Sequence, residues 1–512
     1  MNTKRKNFKK KPNTTNKGFQ PRTPKECNND HSTPKGAANG SEIPERNDWR
    51  FYAVSEQEAK AVASFPFNVL SGRPIDLQWK SSADITDVGI SEAGGAVMML
   101  DYMPSIGRAG EANDAANIAA RRFYTYIRHA NSGAKVYEAP DLMMYFLAMI
   151  DIIVGYFHAK RDFGILQTYS RSNRNMPNAL MTALGLNNTD VIGIANYNFR
   201  LNVIANRINS FCLPKDILAL QRFAYIASNV FIDASTIRGQ FYIFHKKGYY
   251  VFQPVAESTG SSLKFMDDMT PANLSLQITH LETQLNALFG DDDINTMSGD
   301  VLKAFKENVY NIAGVPSDYM IEPIYDEDIL NQIQNASLCG VTASEASLSV
   351  TQNNNVIKFQ PQSLDLPNLV SNGAYIFNSH KDDPQYTDNI EWSRLYTIKD
   401  GSMVKCGLEC LIQIKLISSA GSIYTITNTT MSPSGEIDWN SLLLLSQFDW
   451  HPFMYLFTIS GATPNVKLVT RPIFGDLRYY AILDKATISR THDSAVLAAY
   501  YGGELYGKTE TR

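Results

Sequence analysis

Between residues 109 and 340 the apolar positions fall at helical spacing. Over 109–130 the small or apolar residues Ala112, Ala115, Ala116, Ala119, Phe123, Tyr126, Ile127 and Ala130 recur at i, i+3, i+4 and i+7, with Asn113, Asn117, Arg121, Thr125 and Arg128 opposite them. Gly133 stands just beyond, where a left-handed cap is expected. Residues 141 to about 160 are apolar nearly all round, the pattern of a helix enclosed by other elements. Capping residues predict a helix from Asp190 that stops before Pro214, one from Thr270-Pro271 to Gly290, and one from Ser298 to Gly314. A β-prone stretch at 239–255 interrupts them, its aromatic and β-branched residues disposed about a turn at Lys246-Lys247-Gly248.

Past residue 340 the pattern shortens. β-branched or aromatic runs at 347–350, 356–359, 374–377, 408–417, 422–427 and 455–459 are separated by Gly, Asn, Pro and Asp turns, which predicts a sandwich or barrel. Residues 493–501 read as helical again, so the chain is expected to return to its helical body. Residues 1–48 are different in kind. After Met1 their only large apolar side chains are Phe8, Phe19 and Ile43, too few to offset the entropy of ordering, and order is predicted to begin at Trp49-Arg50-Phe51-Tyr52.

Charge sharpens that division. The 512 residues carry a net −4, yet residues 1–25 hold seven Lys, two Arg and no acid, so the rest of the chain carries −13. Lys4, Arg5, Lys6, Lys9, Lys10, Lys11, Lys17, Arg22 and Lys25 form a cationic arm with Phe8 and Phe19 interspersed. Such an arm suits phosphate neutralisation without sequence readout, and its binding should fall steeply with salt. A localisation signal or a solubilising tail are the rival readings. Hydrophobic residues at 44% and charged residues at 19% are an ordinary globular balance, and five cysteines exclude a disulfide-stapled secreted scaffold. The best apolar run, residues 142–157, contains Asp151 and is shorter than the roughly 20 residues a bilayer requires. The N-terminus lacks the apolar core of a signal peptide, and without Ser but with Pro12, Pro21 and Pro24 it is a poor presequence. A soluble, intracellular protein with no membrane anchor is expected.

Candidate chemistry is sparse. Gly502 to Thr509 matches the phosphate-loop pattern G-x-x-x-x-G-K-[ST], but only three residues follow, too few for the helix whose amides would face a phosphate. Cys406 and Cys410 lack a second pair or a nearby His in sequence, and read as small buried hydrophobes of a strand rather than half a zinc site. No two of the eight histidines stand three or four residues apart. There is no nucleophile elbow, and His492-Asp493-Ser494 are adjacent in sequence, where triads are assembled in space. Asp291-Asp292-Asp293 and Asp326-Glu327-Asp328 sit where helices begin, which dipole complementarity explains. Arg121, Arg122 and Arg128 with Phe123, Tyr124 and Tyr126 form a second basic cluster, read as Arg on a polar face and aromatics in the core. No enzyme, metal or cofactor is implied.

Several motifs do have a counterpart. Met103-Pro104-Ser105-Ile106-Gly107, Ala115-Ala116-Asn117 and Tyr126-Ile127-Arg128-His129-Ala130-Asn131-Ser132-Gly133 resemble the capsid proteins of picobirnaviruses. So do Tyr137-Glu138-Ala139-Pro140-Asp141-Leu142-Met143-Met144-Tyr145, Arg161-Asp162-Phe163-Gly164, then Asn173, Pro177, Phe199-Arg200 and Asn206-Arg207-Ile208-Asn209. The likeness spans roughly residues 100–215 and brings no catalytic residue with it.

That resemblance implies a structural protein of a double-stranded RNA virus. Capsid-protein dimers would assemble in the host cytoplasm into a small icosahedral shell, with the arm facing viral RNA and a separate polymerase packaged inside. The implied fold is α+β: a disordered basic arm (1–48), a predominantly α-helical shell domain (49–340), an inserted β-rich projecting domain (341–475) and a C-terminal return to the shell (476–512). A non-assembling RNA-binding nucleoprotein is the alternative that the arm alone equally suggests.

Overall fold

A helix with no polar face must be surrounded, and Ala139–Arg171 forms such a helix, α3, packed on both helices and strands. The computed structural model describes residues 47–501 except 66–83, 86–94, 132, 134–135, 172–177, 187–193, 234–240, 257–259, 269–271, 337–339, 365–373, 380, 419–422, 427–456, 461–464 and 469–478. The nine arm cations, the 502–509 motif, Asp190 and Thr270-Pro271 therefore lie outside the described residues. The other helices, in chain order, are α1 (Glu56–Ala63), α2 (Ala115–Ala130), α4 (Asn178–Ala183), α5 (Ile194–Ile208), α6 (Leu218–Ser228), α7 (Leu274–Phe289), α8 (Asp292–Phe305), α9 (Glu327–Gln334), α10 (Glu345–Leu348), α11 (Tyr386–Trp392) and α12 (Lys485–Tyr501).

Helix α3 is longer than its apolar run suggested. Its Ala139–Thr168 portion is long and apolar enough to cross a bilayer by length and composition, but 94% of its most apolar window is buried within the protein. Asp151, at its middle, is satisfied there: it accepts from Lys246 Nζ (3.0 Å), Tyr250 N (2.9 Å) and Gln284 Nε2 (2.7 Å). A buried carboxylate with three donors is tolerable where an unpaired one is not.

Five strands, numbered along the chain, make the central sheet in the order β13 (Ile423–Ile426), β12 (Glu409–Ser418), β2 (Gly95–Pro104), β4 (Phe241–Lys246) and β3 (Phe231–Ile232). Pairing is antiparallel except between β2 and β4. Every residue from Val97 to Met103 is buried, so β2 is covered on both faces and its sequence shows no alternation. Smaller pairings join β1 (Asp84–Ile85) to β15 (Asn465–Leu468) and that to β14 (Phe457–Ser460), β5 (Gly248–Ala256) to β6 (Gly260–Asp267), and β7 (Thr351–Asn353) to β8 (Val356–Lys358). Likewise β9 (Ala374–Ser379) pairs with β16 (Tyr479–Asp484), and β10 (Ile398–Asp400) with β11 (Met403–Lys405).

Four local expectations need correcting. The turn at Lys246-Lys247-Gly248 is no hairpin: β4 belongs to the central sheet while β5 pairs with β6. Both lysines are drawn inward, Lys246 to Asp151 and Lys247 to Asp267 (3.0 Å). Ser298 does not cap its helix. Asp291 does, accepting from Asp293 N and Ile294 N, while Ser298 is buried mid-helix and accepts the Cys212 N–H (2.9 Å). The run at 347–350 begins as helical turn, because Ser344 Oγ caps α10 by accepting from Ser347 N, and only Val350 pairs as a strand would, in an isolated bridge with Leu263. Helix α2 starts at Ala115, not 109, since the Asp114 carboxylate accepts from Gly110 N and Glu111 N and closes a turn ahead of it.

The break anticipated at residue 340 is not a break in the sheet. β12 follows β2 from Glu409↔Pro104 to Ser418↔Gly95, with a bulge at Leu411/Gln413, so a strand from beyond 340 sits beside the first long strand of the body. The acidic runs behave as dipole complements: Asp291 and Asp326 are the N-caps of α8 and α9.

Candidate nucleic-acid interface

The arm's own cations are outside the described residues, so the interface is approached from its root. The described chain begins at Asn47, which is 4% exposed. Its amide nitrogen donates to Glu391 Oε2 (3.1 Å), and its Oδ1 accepts from Tyr52 OH (3.2 Å) and Arg222 NH1 (3.1 Å). Arg222, from α6, also donates to Glu409 Oε1 of β12 (2.5 Å) and to Gln332 Oε1 of α9 (2.8 Å). Gln332 in turn donates to Tyr52 OH (3.3 Å). The guanidinium groups of Arg222 and Arg394 stand 5.3 and 5.0 Å from the centre of the Tyr52 ring. One residue on, Asp48 accepts from Arg50 N (2.9 Å) and caps a short 3-10 turn at Trp49–Phe51.

Asn47 and Asp48, grouped with the arm in the sequence reading, are thus built into the folded body. The segment is held by α6, α9, α11 and β12, which meet only in the tertiary structure. No local pattern announces this. The hydrogen-bonded pairs that join Asn47, Arg222, Glu409, Gln332 and Glu391 lie 110 to 344 residues apart in the chain.

Burial governs the electrostatics at this root. It pushes the Glu391 carboxyl well above the usual range, helped by Asp328, Asp48, Asp388 and Asp326. It raises the Tyr52 phenol and lowers Arg394 to about 10. For Arg222 burial pulls downward, but Glu409 and Tyr52 outweigh it and the group is held charged. A second buried charge cluster pins the central sheet. Asp101 of β2 accepts from His245 Nδ1 (2.8 Å), Lys415 Nζ (2.8 Å) and Gln413 Nε2 (2.5 Å), which outweigh burial and hold it at about 2.

The second basic cluster is structural. Phe123 packs on Phe146 (4.5 Å between centroids) and Phe305, and Tyr126 on Phe305 (5.0 Å). Arg128 pairs with Asp300 (3.5 Å), and Arg121 folds back to the carbonyls of Asn117 and Ala112. Cys406 and Cys410 are both fully buried, Cys406 Sγ lying 3.3 Å from Ser105 Oγ, and among the described residues no group of three His, Cys, Asp or Glu could hold a metal ion.

The motif residues quoted for the family resemblance hold elements together. Asn117 exchanges hydrogen bonds with Ile357 of β8, with its amide donating to the carbonyl and its Oδ1 accepting the N–H. Asn131 reaches the Asp300 carbonyl (3.0 Å), and Tyr137 OH donates to the Asp300 carboxylate (2.7 Å). Asp141 accepts from Ser261 and Gln352. Arg161 ties α3 to the Phe244 carbonyl of β4 (2.9 Å), and Asn209 binds the backbone of Ile312.

Comparison with known proteins agrees with that pattern. The family model described as "Picobirnavirus, Capsid protein" matches residues 51–388. A curated protein of Human picobirnavirus (strain Human/Thailand/Hy005102/-), named "Capsid protein precursor", is 27% identical over an alignment covering 97% of both chains. The structure titled "X-ray crystallographic structure of the picobirnavirus capsid" matches with a TM-score of 0.68 and 30% identity, over 91% of this chain and all of that one. With about two thirds of its length matched by the family model, the structural framework built from Asn117, Asn131, Asp141 and Arg161 is that of a viral coat protein, and the chain belongs to the picobirnavirus capsid protein family.

Proposed function

We propose that this capsid protein self-assembles through dimers into a closed icosahedral shell around double-stranded RNA. Lys4, Arg5, Lys6, Lys9, Lys10, Lys11, Lys17, Arg22 and Lys25 contact the RNA non-specifically. The observation that carries the reading is the charge division: residues 1–25 carry +9 and residues 26–512 carry −13, and the chain enters its folded body at the buried Asn47. A cationic arm on an acidic body holds a template without gluing it to the wall, because the net positive charge is confined to the arm. Part of residues 341–475 forms the outward projection, excepting Glu409–Ser418 and Ile423–Ile426, which are strands of the body's sheet. Assembly takes place in the host cytoplasm, with a separately encoded polymerase enclosed.

The test is expression of the full chain and of a chain beginning at residue 47. Full-length particles should co-purify with RNA, and the truncated chain should fold and lose most of it. The RNA affinity of the full chain should fall with salt, with a log–log slope no steeper than about −8 for nine cations. Unchanged RNA content after truncation refutes the arm's role. Discrete RNA–protein complexes without closed shells would favour a nucleoprotein instead.

A further inference from the structure

Helices α5 and α7 lie side by side and are stitched along their shared flank. Arg200 donates to Ser275 Oγ (3.2 Å) and Glu282 Oε1 (3.2 Å), while Arg207 donates to Asn286 Oδ1 (2.6 Å) and stands 5.1 Å from the centre of the Phe289 ring. These contacts use up the charges of both helices. α5 has no charged residue besides Arg200 and Arg207, and α7 none besides Glu282 and the titratable His280. His280 stacks on Tyr249 (4.3 Å) and faces Asp268 (3.5 Å), away from α5.

What the pair presents outward is uncharged, with large apolar side chains set among Asn and Thr. Phe199 and Val203, one turn apart on α5, are 67% and 41% exposed. Phe199 is the most exposed of the large hydrophobic residues among those described. On α7, Leu276 is 45% and Phe289 44% exposed, with exposed Thr279 and Thr283 between them. The helical wheel sets Arg200 and Arg207 on the flank toward α7 and Phe199, Val203 and Asn206 on the adjoining outer stripe, so the two stripes form one face.

The charge of the chain selects the occupant. RNA is a poor fit, since each arginine at this face is engaged by a neighbouring side chain. Two copies of a chain whose residues 26–512 carry −13 repel wherever their acidic surfaces approach, and a face without unpaired charge is where burial of apolar groups outruns repulsion. We propose that the α5–α7 face is an isologous contact between two copies of this chain, α5 of one against α5 of the other, with Phe199 as its central anchor. The proposal rests on the self-assembly reading above and names one surface that serves it.

The experiment compares the full chain with a Phe199→Asp/Val203→Asp variant by sedimentation and electron microscopy, with Val136→Asp, 56% exposed on a different segment, as control. The double variant should weaken dimerisation by roughly 30-fold or more, the effect of losing a central anchor, with an unchanged circular dichroism spectrum, and the control should behave as wild type. Because the double variant could misfold, Val203→Cys in the otherwise wild-type chain is treated with a short bis-maleimide. Cross-linked dimer above the wild-type background supports the contact, and none overturns it. Wild-type dimerisation by the folded Asp variant overturns this interface while leaving self-assembly intact. A wild-type chain that stays monomeric at every salt and pH overturns both.

Discussion

Arg222→Met removes the centre of the arm-root network. Arg222 and Glu409 are both fully buried, and the guanidinium gives the carboxylate a charged partner at 2.5 Å. Taking it away leaves Glu409 buried and uncompensated, which costs about 3–5 kcal/mol. Loss of the bonds to Asn47 and Gln332 alone would cost about 1 kcal/mol each. The stranded charge therefore decides the outcome, and an Arg222→Met/Glu409→Met chain should recover most of the loss, because an apolar pair of similar volume often replaces a buried ion pair at little cost. Urea unfolding of the unassembled chain, followed by tryptophan fluorescence, measures this, since Trp49 and Trp392 flank the root. Trypsin cleavage after Arg50, whose side chain is 40% exposed and paired with Asp48, reports local opening and should accelerate in the single variant. A single variant within 1 kcal/mol of wild type, or a double variant as unstable as the single, refutes the reasoning.

Three further outcomes follow from the same geometry. Glu391 is raised above its unfolded value, so the stability lent by its protonated form is full below about pH 4.3 and is lost as pH rises toward the folded pKa; Glu391→Gln should match wild type near pH 4 and unfold at higher urea near pH 8. His158 and His492 are both pushed well down by burial, aided by Arg161 and Arg394 respectively, so their contribution is full above about pH 6.5 and lost on acidification; His158→Gln should make the fall in urea midpoint between pH 7.5 and 5 shallower, and an unchanged slope would exclude His158 as a cause. Deleting residues 1–46 should leave thermal stability near wild type, whereas deleting 1–48 also removes the Asn47 hydrogen bonds and the Asp48 cap and should lower it measurably by calorimetry.

Local spacing carries the enclosed apolar helix α3, the amphipathic α2, the β-rich stretches around 241–256 and 409–418, and the acidic helix starts at Asp291 and Asp326. Two kinds of feature were not legible. Strand β2 is buried on both faces, and its Met-rich run has no alternation to mark it. Long-range partnerships have no local trace either. Nothing near Gly95 says that Glu409–Ser418 will pair with it, and nothing near Asn47 points to Arg222 or Glu391. Competition between caps explains why Ser298 lies mid-helix, because Asp291, seven residues earlier, offers the stronger acceptor at a helix start. The resemblance motifs are legible in the sequence because Asn117, Asn131, Asp141 and Arg161 tie elements of the framework together.

The central claim is that this chain alone carries the information for a closed shell. Negative-stain electron microscopy of the purified full-length protein, across a range of salt and pH, tests it most directly. Uniform closed icosahedral particles are the predicted result; monomers and small open oligomers under every condition would contradict it.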